Sequence, residues 1–307
     1  MRVGVVDIGT NSTRLLICDV APDGSVTELD RRSEVTRLGE GVDVSGSLQE
    51  APVERVFRTL ETYRDALDAA GVQRTSAVMT SAVRDASNGW RFGEEVRRRF
   101  GLAARILSGD EEAGLTFHGA MSERRQPGAG AGVVIDIGGG STELIVGQGG
   151  EMTFHASLQI GVVRLGERHI HRDPPDPDEL QALAADAHGA ILDGLAASSR
   201  QAVHWAIAVA GTPTAAAAIE QELDPYDPAR VHGYQLELGS CELLLARLAA
   251  MTEQQRRSVV GLHPDRASVI VPGLIILIEA LRAFELDRVE VSEHDILRGA
   301  ALEAAGV

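Results

Sequence analysis

Two stretches of the chain share one pattern of apolar and polar positions. VVDIGTNSTRLLI at residues 5–17 and VIDIGGGSTELIV at residues 134–146 each join two β-branched runs through a turn of glycine, serine and threonine. This pattern predicts a β-hairpin in each place. The copies align without gaps and share Val, Asp, Ile, Gly, Ser, Thr and Leu at corresponding positions, but Glu143 stands where the first copy has Arg14. The wide spacing excludes a solenoid repeat and predicts two related domains facing each other.

Helical patterns separate the two copies. Residues 52–70 place Val56, Leu60, Leu67 and other apolar side chains on one face of a helix, which Gly71 would end. After this helix we expect a strand near 76–83, a helix over 90–100 and another helix from about Glu111.

The second half alternates strands and helices in the same way. After a loop at 172–180, we expect a long helix to about Ser198, a strand over 206–211 that turns at Gly211 into a helix, and a final strand and helix over 288–292 and 295–305. This alternation predicts an α/β architecture.

A polar segment divides the chain into two predicted domains. Residues 122–132 contain proline and several glycines between two patterned regions. We therefore expect an N-terminal domain over 1–125 and a C-terminal domain over 126–307, whose last helix could pack back on the first domain. A length of 307 residues agrees with two cores, because single cores stop growing near roughly 250–300 residues.

Composition and charge exclude several classes of function. The formal net charge of −16 argues against DNA or an anionic membrane as a partner. All 29 basic side chains are arginines, which excludes a Walker lysine and a lysine Schiff base. Cys18 and Cys241 lie in apolar patterns typical of packing residues. The chain has no apolar run near the roughly 20 residues of a membrane span and no signal-like start, so we expect a cytoplasmic protein.

The glycine turns are candidate phosphate-binding loops. Glycines let the backbone approach a ligand, and consecutive N–H groups can bind an anion. The candidate phosphate-binding residues of the turns are Gly9, Thr10, Asn11, Ser12, Gly138, Gly139, Gly140, Ser141 and Thr142. Asp7 and Asp136 end the preceding strands, where carboxylates could hold a divalent cation such as Mg²⁺. The alternative for each turn alone is a plain hairpin connection.

SGDEEAG at residues 108–114 offers a candidate general base. Ser108 and Glu111 have the spacing of a capping box, which would tie Glu111 to the helix start and leave Glu112 unengaged. The helix dipole favours the ionised form of a first-turn carboxylate, so we expect Glu112 to be charged and able to accept a proton. The alternative is that both glutamates only complement the dipole.

The chain resembles the exopolyphosphatase and guanosine pentaphosphate phosphohydrolase (Ppx/GppA) family of the actin, hexokinase and Hsp70 superfamily. The resemblance is carried by both hairpins and by TRLGEGV, TSAVRDASN, SGDEEAGL and LQIGVVRL. It implies two ribonuclease-H-like domains that flank a phosphate-binding cleft. It also implies hydrolysis of terminal phosphoanhydride bonds.

The resemblance also implies roles for particular residues. The catalytic glutamate of the family motif falls on Glu112, and Asp136 and Glu143 are likewise functional, which we assign to Mg²⁺ binding and orientation of the nucleophile. A carboxylate beside a phosphate loop is unfavourable unless it binds metal or activates water. Arg84 falls in a cleft-lining segment, predicted as a loop, and is a candidate phosphate ligand. Weaker arginine candidates are Arg14, Arg37, Arg91 and Arg164.

The predicted function is a Mg²⁺-dependent exopolyphosphatase with Glu112 as general base. The alternatives are a guanosine pentaphosphate phosphohydrolase, a kinase with an adenosine pocket near Gly211, and a nucleotide-dependent scaffold. The chain resembles a short form without the C-terminal domain of longer members, so we expect a preference for short or medium polymers. Asp295 stands where the family commonly has glycine, and the apolar segment 264–284 could support a homodimer.

Overall fold

The computed structural model describes residues 1–123 and 130–307. Two compact units divide these residues. The first is Met1–Glu123 with His294–Val307, and the second is the described part of Arg124–Glu293. The domain boundary expected between residues 125 and 126 lies outside the described residues and stays a prediction.

A five-stranded sheet forms the centre of the first unit. Its strands are β1 (Arg2–Ile8), β2 (Ser12–Val20), β3 (Val26–Val35), β4 (Arg74–Met79) and β5 (Arg105–Ile106). The strand order is β3-β2-β1-β4-β5. The first three strands are antiparallel neighbours, whereas β4 runs parallel to β1 and β5 runs parallel to β4. The hairpin expected at residues 5–17 is confirmed.

The helices of the first unit follow the predicted apolar spacing. They are α1 (Val42–Ser45), α2 (Glu50–Ala69), α3 (Ser81–Asp85), α4 (Gly89–Phe100) and α5 (Gly109–Met121). Gly71 follows α2 with a φ of 63°, a left-handed conformation that stops the helix without strain. The strand expected near 76–83 was partly wrong, because it ends at Met79 and the chain then turns into α3.

Both faces of β1, the central strand of the first sheet, are buried. Side chains alternate between the faces of a strand. Val6 and Ile8 of β1 therefore pack in the cluster that includes residues of α2 and α4. Val3 and Val5 point to the opposite face and pack in a second cluster. Asp7 has the same parity as Val5, so its side chain leaves the sheet on the face of this second cluster.

A six-stranded sheet organises the second unit. Its strands are β6 (Ala131–Ile137), β7 (Thr142–Gln148), β8 (Glu151–Leu158), β9 (Val203–Val209), β10 (Gln235–Glu237) and β11 (Arg288–Val291). The order is β10-β11-β9-β6-β7-β8. As in the first unit, three antiparallel strands are followed by parallel neighbours, here β9 and β11. The α/β prediction with two ribonuclease-H-like domains is confirmed.

The second unit has more helices than the first. They are α6 (Val162–His169), α7 (Pro177–Gly194), α8 (Ala197–Gln201), α9 (Gly211–Glu220), α10 (Pro228–Val231), α11 (Leu238–Ala249), α12 (Glu253–Arg256), a 3₁₀ turn (Pro264–Arg266) and α13 (Ile270–Ala283). The long helix expected to reach Ser198 ends at Gly194, and α8 follows it. Residues 270–281 of α13 are all buried in this unit, so the helix belongs to its core. The homodimer stays a prediction.

The last helix, α14 (Ile296–Ala305), belongs to the first unit. It packs on α5 and β1, and Ile296, Leu297 and Ala300 join the second apolar cluster. Its contact with α5 is made by backbone. A Cβ added at Gly299 would lie 1.9 Å from the Leu115 carbonyl oxygen, so only glycine fits there.

No helix within residues 1–123 and 130–307 combines the length and the apolar character that a membrane crossing requires.

Candidate active site

The first glycine turn joins β1 to β2 and is closed by its own backbone. The Gly9 N–H donates to the Ser12 carbonyl oxygen at 3.0 Å. A Cβ at Gly9 would lie 2.9 Å from that same oxygen, so the closure requires glycine. The Ala82 N–H donates to the Thr10 hydroxyl at 3.0 Å. The turn is thus fixed from within and by the start of α3.

A second segment holds the outer side of this turn. The Gly39 N–H donates to the Thr10 carbonyl oxygen, and the Arg37 N–H donates to the Asn11 carbonyl oxygen, both at 2.8 Å. Arg37 adopts a φ of 50°, which is uncommon for a residue with a side chain. The Asn11 side-chain oxygen is buried and has no hydrogen-bond partner within the described residues. Such an acceptor in a rigid turn is a candidate ligand contact.

Asp7 lies at the carboxyl end of β1 and pairs with an arginine. The register sets Asp7 opposite Arg14 of β2. Two N–H groups of Arg14 donate to Oδ2 of Asp7, Nε at 2.9 Å and Nη2 at 2.7 Å. Nη1 of Arg14 donates to Asp295, the residue before α14. Burial raises the pKa of the Asp7 carboxyl, against the opposing effect of Arg14.

Glu112 lies in the first turn of α5 and is buried. The capping box predicted for this helix is confirmed, because Ser108 and Glu111 bond each other's backbone N–H groups. Glu112 differs from the expectation in two respects. It accepts a hydrogen bond from Nη1 of Arg84 at 2.8 Å, so it is engaged. Burial raises its pKa above the ordinary value although Arg84 lowers it, so the dipole does not dominate its ionisation.

Arg84 lies in α3 and not in the loop that the sequence predicted. Its Nη1 donates both to Glu112 and to the Leu107 carbonyl oxygen, the latter at 3.0 Å. The guanidinium is therefore fixed at the start of α5, where its charge faces the carboxylate.

The second glycine turn, between β6 and β7, repeats the closure of the first. The Gly138 N–H donates to the Ser141 carbonyl oxygen at 3.0 Å. The start of α6 packs directly on this turn, since a Cβ at Gly161 would lie 2.4 Å from backbone atoms of Gly139. Nε of Arg164 donates to the Gly140 carbonyl oxygen at 2.8 Å. The sequence motif LQIGVVRL thus supports the turn.

The register of the second hairpin brings two carboxylates together. Asp136 of β6 is the direct partner of Glu143 of β7, and both are buried. They share the face opposite to the main core, because the neighbouring Ile135 and Leu144 point into that core. Two carboxylates in such a place repel each other unless a cation or proton compensates them.

Serine hydroxyls orient Glu143. Its Oε1 accepts hydrogen bonds from Ser141 at 2.8 Å and from Ser157 at 2.9 Å. Ser157 lies on β8, directly opposite Glu143. Thr142 is turned away, because its hydroxyl donates to the Ile160 carbonyl oxygen. Ser157 was missed by the sequence analysis.

The donor set of the second hairpin fits a divalent cation. Asp136 and Glu143 provide hard oxygen ligands side by side, as Mg²⁺ prefers. Asp7 fits less well, because its Oδ2 already accepts two hydrogen bonds from Arg14. Its Oδ1 is buried and has no partner in the described part of the chain.

The predicted site residues fall into two groups, one in each unit. The first unit brings together the turn of Gly9, Thr10, Asn11 and Ser12 with Asp7, and it pairs Arg84 with Glu112. The second unit brings together Gly138, Gly139, Gly140, Ser141 and Thr142 with Asp136 and Glu143. Of the weaker arginine candidates, Arg91 lies over the Trp90 ring at 5.2 Å.

Comparison with known proteins identifies the family. The model of the Ppx/GppA phosphatase family matches residues 16–303. Exopolyphosphatase 2 of Mycobacterium tuberculosis is 36% identical over 317 aligned residues, which cover 99% of both chains.

Solved structures agree with this match. The crystal structure of the Aquifex aeolicus Ppx/GppA family member has a TM-score of 0.82 and 30% identity, over 99% of this chain and 97% of its own. An exopolyphosphatase from Cytophaga hutchinsonii has a TM-score of 0.90 and 27% identity, over 100% and 99% of the two chains. The resemblance drawn from the sequence motifs is confirmed, and the chain belongs to the Ppx/GppA phosphatase family.

Proposed function

We propose that the protein is an exopolyphosphatase, which releases terminal orthophosphate from inorganic polyphosphate. The observation that carries this proposal is the match over 99% of both chains to a relative named exopolyphosphatase. The site geometry supports it. Each unit has a rigid glycine turn suited to phosphate oxygens, and a buried carboxylate lies at the start of α5.

In the proposed reaction, Glu112 acts on the attacking water. Water attacks the terminal phosphorus, its proton passes to the Glu112 carboxylate, and the bond to the bridging oxygen breaks. The products are orthophosphate and a polyphosphate shorter by one unit. Arg84 holds the carboxylate in place and lowers its pKa, which opposes the raising effect of burial.

A divalent cation, which we take to be Mg²⁺, would be held by Asp136 and Glu143 of the second unit. Asp7 stays a separate candidate metal ligand in the first unit. Such an ion supplies positive charge that neutralises the phosphate oxygens. The hydroxyls of Ser141 and Ser157 keep Glu143 in its orientation. A cytoplasmic location and a homodimer remain predictions.

The test compares substrates and one pair of variants. Purified protein is incubated with polyphosphate, guanosine pentaphosphate, or ATP with candidate acceptors, and orthophosphate and nucleotides are measured. We expect phosphate release from polyphosphate. Preferred cleavage of guanosine pentaphosphate would favour the second activity of the family, and phosphate transfer from ATP to an acceptor would indicate a kinase.

Glu112→Gln should lose turnover by about a hundredfold or more while polyphosphate binding is retained, as for loss of a general base. Glu111→Gln is the matched control. It changes the same charge one residue away, and glutamine preserves a capping box. Near-normal turnover of Glu112→Gln would overturn the assignment of the base.

A further inference from the structure

Three charged residues from separate parts of the first unit form one connected group. Arg14 donates two hydrogen bonds to Oδ2 of Asp7 and a third to Oδ2 of Asp295. Both carboxylates are nearly inaccessible, with 4% and 5% of their side-chain surface exposed. The planar guanidinium is therefore held at two of its edges, which fixes its orientation as well as its position.

The group leaves one oxygen of Asp7 in an unusual state. Both Arg14 donors bind Oδ2, whereas Oδ1 is buried without a hydrogen-bond partner in residues 1–123 and 130–307. A buried carboxylate oxygen without a donor carries an uncompensated desolvation cost. A buried acceptor that is held rigidly without a donor is expected where the atom contacts a reacting group.

Asp295 ties this arrangement to the helix that carries Glu112. Its Oδ1 accepts from the Leu297 N–H at 3.0 Å and so caps α14. α14 in turn meets α5 backbone to backbone, at Gly119 and Gly299, where no Cβ fits. Burial raises the pKa of Glu112 and Arg84 lowers it. Asp7 also raises this pKa, and Arg14 also lowers it.

We propose that Arg14 and Asp295 are positioning residues, which hold Asp7 so that its Oδ1 faces the reacting groups while α14 keeps Asp7 and Glu112 in fixed relation. The inference rests on the proposed phosphoanhydride hydrolysis and adds to it two residues that do not touch substrate. Arg14 is thereby assigned to the orientation of a carboxylate, and not to the binding of phosphate.

The decisive variant is Asp295→Asn. Asparagine is as good an N-cap as aspartate, so the helix start is preserved. It has one acceptor oxygen where aspartate has two, so capping Leu297 turns its NH₂ group towards the Arg14 donor. We expect kcat for polyphosphate to fall about ten- to a hundredfold, as for a small misplacement of reacting groups, with KM within about twofold and Tm nearly unchanged.

Arg31→Gln is the matched control. Arg31 is also in the first unit and its charge acts on Asp295, but its Nε pairs with Glu28 at 2.9 Å. Removing this charge should leave kcat within about twofold of wild type. If Arg31→Gln lowers kcat as much as Asp295→Asn does, a general charge effect replaces the proposed positioning.

Crystal structures of wild type and Asp295→Asn give a readout independent of activity. We expect the Asp7 carboxylate to rotate, or its Oδ1 to acquire a protein donor, in the variant. An unmoved Asp7 together with unchanged kcat would overturn the inference, as would a fall in kcat matched by an equal rise in KM. If wild type releases no phosphate from polyphosphate, the proposed function fails, and an unmoved Asp7 then overturns the positioning role by itself.

Discussion

In the first unit the hairpin of β1 and β2 sets Asp7 opposite Arg14, whereas in the second unit the hairpin of β6 and β7 sets Asp136 opposite Glu143. The backbone is the same in both, since the glycine N–H reaches the serine carbonyl oxygen at 3.0 Å in each turn. Only the residue at one register position changes its charge. The first hairpin thereby compensates its own carboxylate, and the second places two carboxylates side by side.

This difference indicates that the buried carboxylates of the two units have different roles. In the first unit, arginines engage the buried carboxylates Asp7, Asp295 and Glu112. In the second, serine hydroxyls orient Glu143. Hydroxyl donors orient a carboxylate without adding positive charge, in contrast to the arginines of the first unit. The proposed metal site therefore belongs to the second hairpin, and the proposed proton acceptor to the first unit.

Glu143→Gln tests the second hairpin most strongly. Glutamine keeps the size of the side chain and an oxygen for the two serine donors but removes the charge. We expect kcat for polyphosphate to fall about 100- to 1,000-fold, as for loss of a group that stabilises developing charge. Binding of Mn²⁺, measured by electron paramagnetic resonance, should weaken in parallel.

Glu151→Gln is the control for this variant, because Glu151 is exposed and begins the strand next to β7. It should change neither activity nor Mn²⁺ binding. Unchanged Mn²⁺ affinity in Glu143→Gln would contradict the assignment of the cation to this carboxylate pair.

Ser157→Ala should have a smaller effect, because one of two donors to Glu143 remains. We expect metal affinity and turnover to fall about tenfold, the lower end for loss of a group that orients a metal ligand. Thr153→Val is a control on the same strand, since the Thr153 hydroxyl bonds the Val146 carbonyl oxygen at 3.1 Å. Equal losses in both variants would show that β8, and not the serine, is responsible.

The role of Ser157 shows where sequence reasoning reached its limit. The turn at Gly149 and Gly150 predicts a hairpin. If residues are paired one by one outward from this turn, Glu143 lies opposite Ala156. A β-bulge after Val146 shifts the register by one residue and brings Ser157 there instead. Because a shift of one residue exchanges the faces of a strand, the donor was not accessible from the pattern.

Local signals, by contrast, were sufficient for most of the fold. Each of these signals depends on residues close together in sequence. They are the duplicated hairpins, the capping box at Ser108 and the apolar face of α2. The pairing of Arg14 with Asp295 joins residues 281 positions apart. The capping argument wrongly left Glu112 without a partner, because its hydrogen bond from Arg84 joins the first turn of α5 to α3, 28 residues earlier in the chain.

Arg84→Gln tests the first unit through pH. Glu112 must be ionised to accept a proton, and its pKa is raised by burial and lowered by Arg84. Removing the guanidinium removes the lowering effect, so the pKa of Glu112 rises further. The acid limb of the kcat profile should therefore move to higher pH, and activity should be lost earlier as the solution is acidified.

Arg91→Gln is the matched control, because it removes one positive charge from the same unit while Arg91 stacks on Trp90. Its acid limb should coincide with that of wild type. A profile of Arg84→Gln that falls in amplitude without moving along the pH axis would mean that Arg84 binds substrate but does not govern the ionisation of Glu112. The ionisation of Glu112 would then be set by burial and not by its arginine partner.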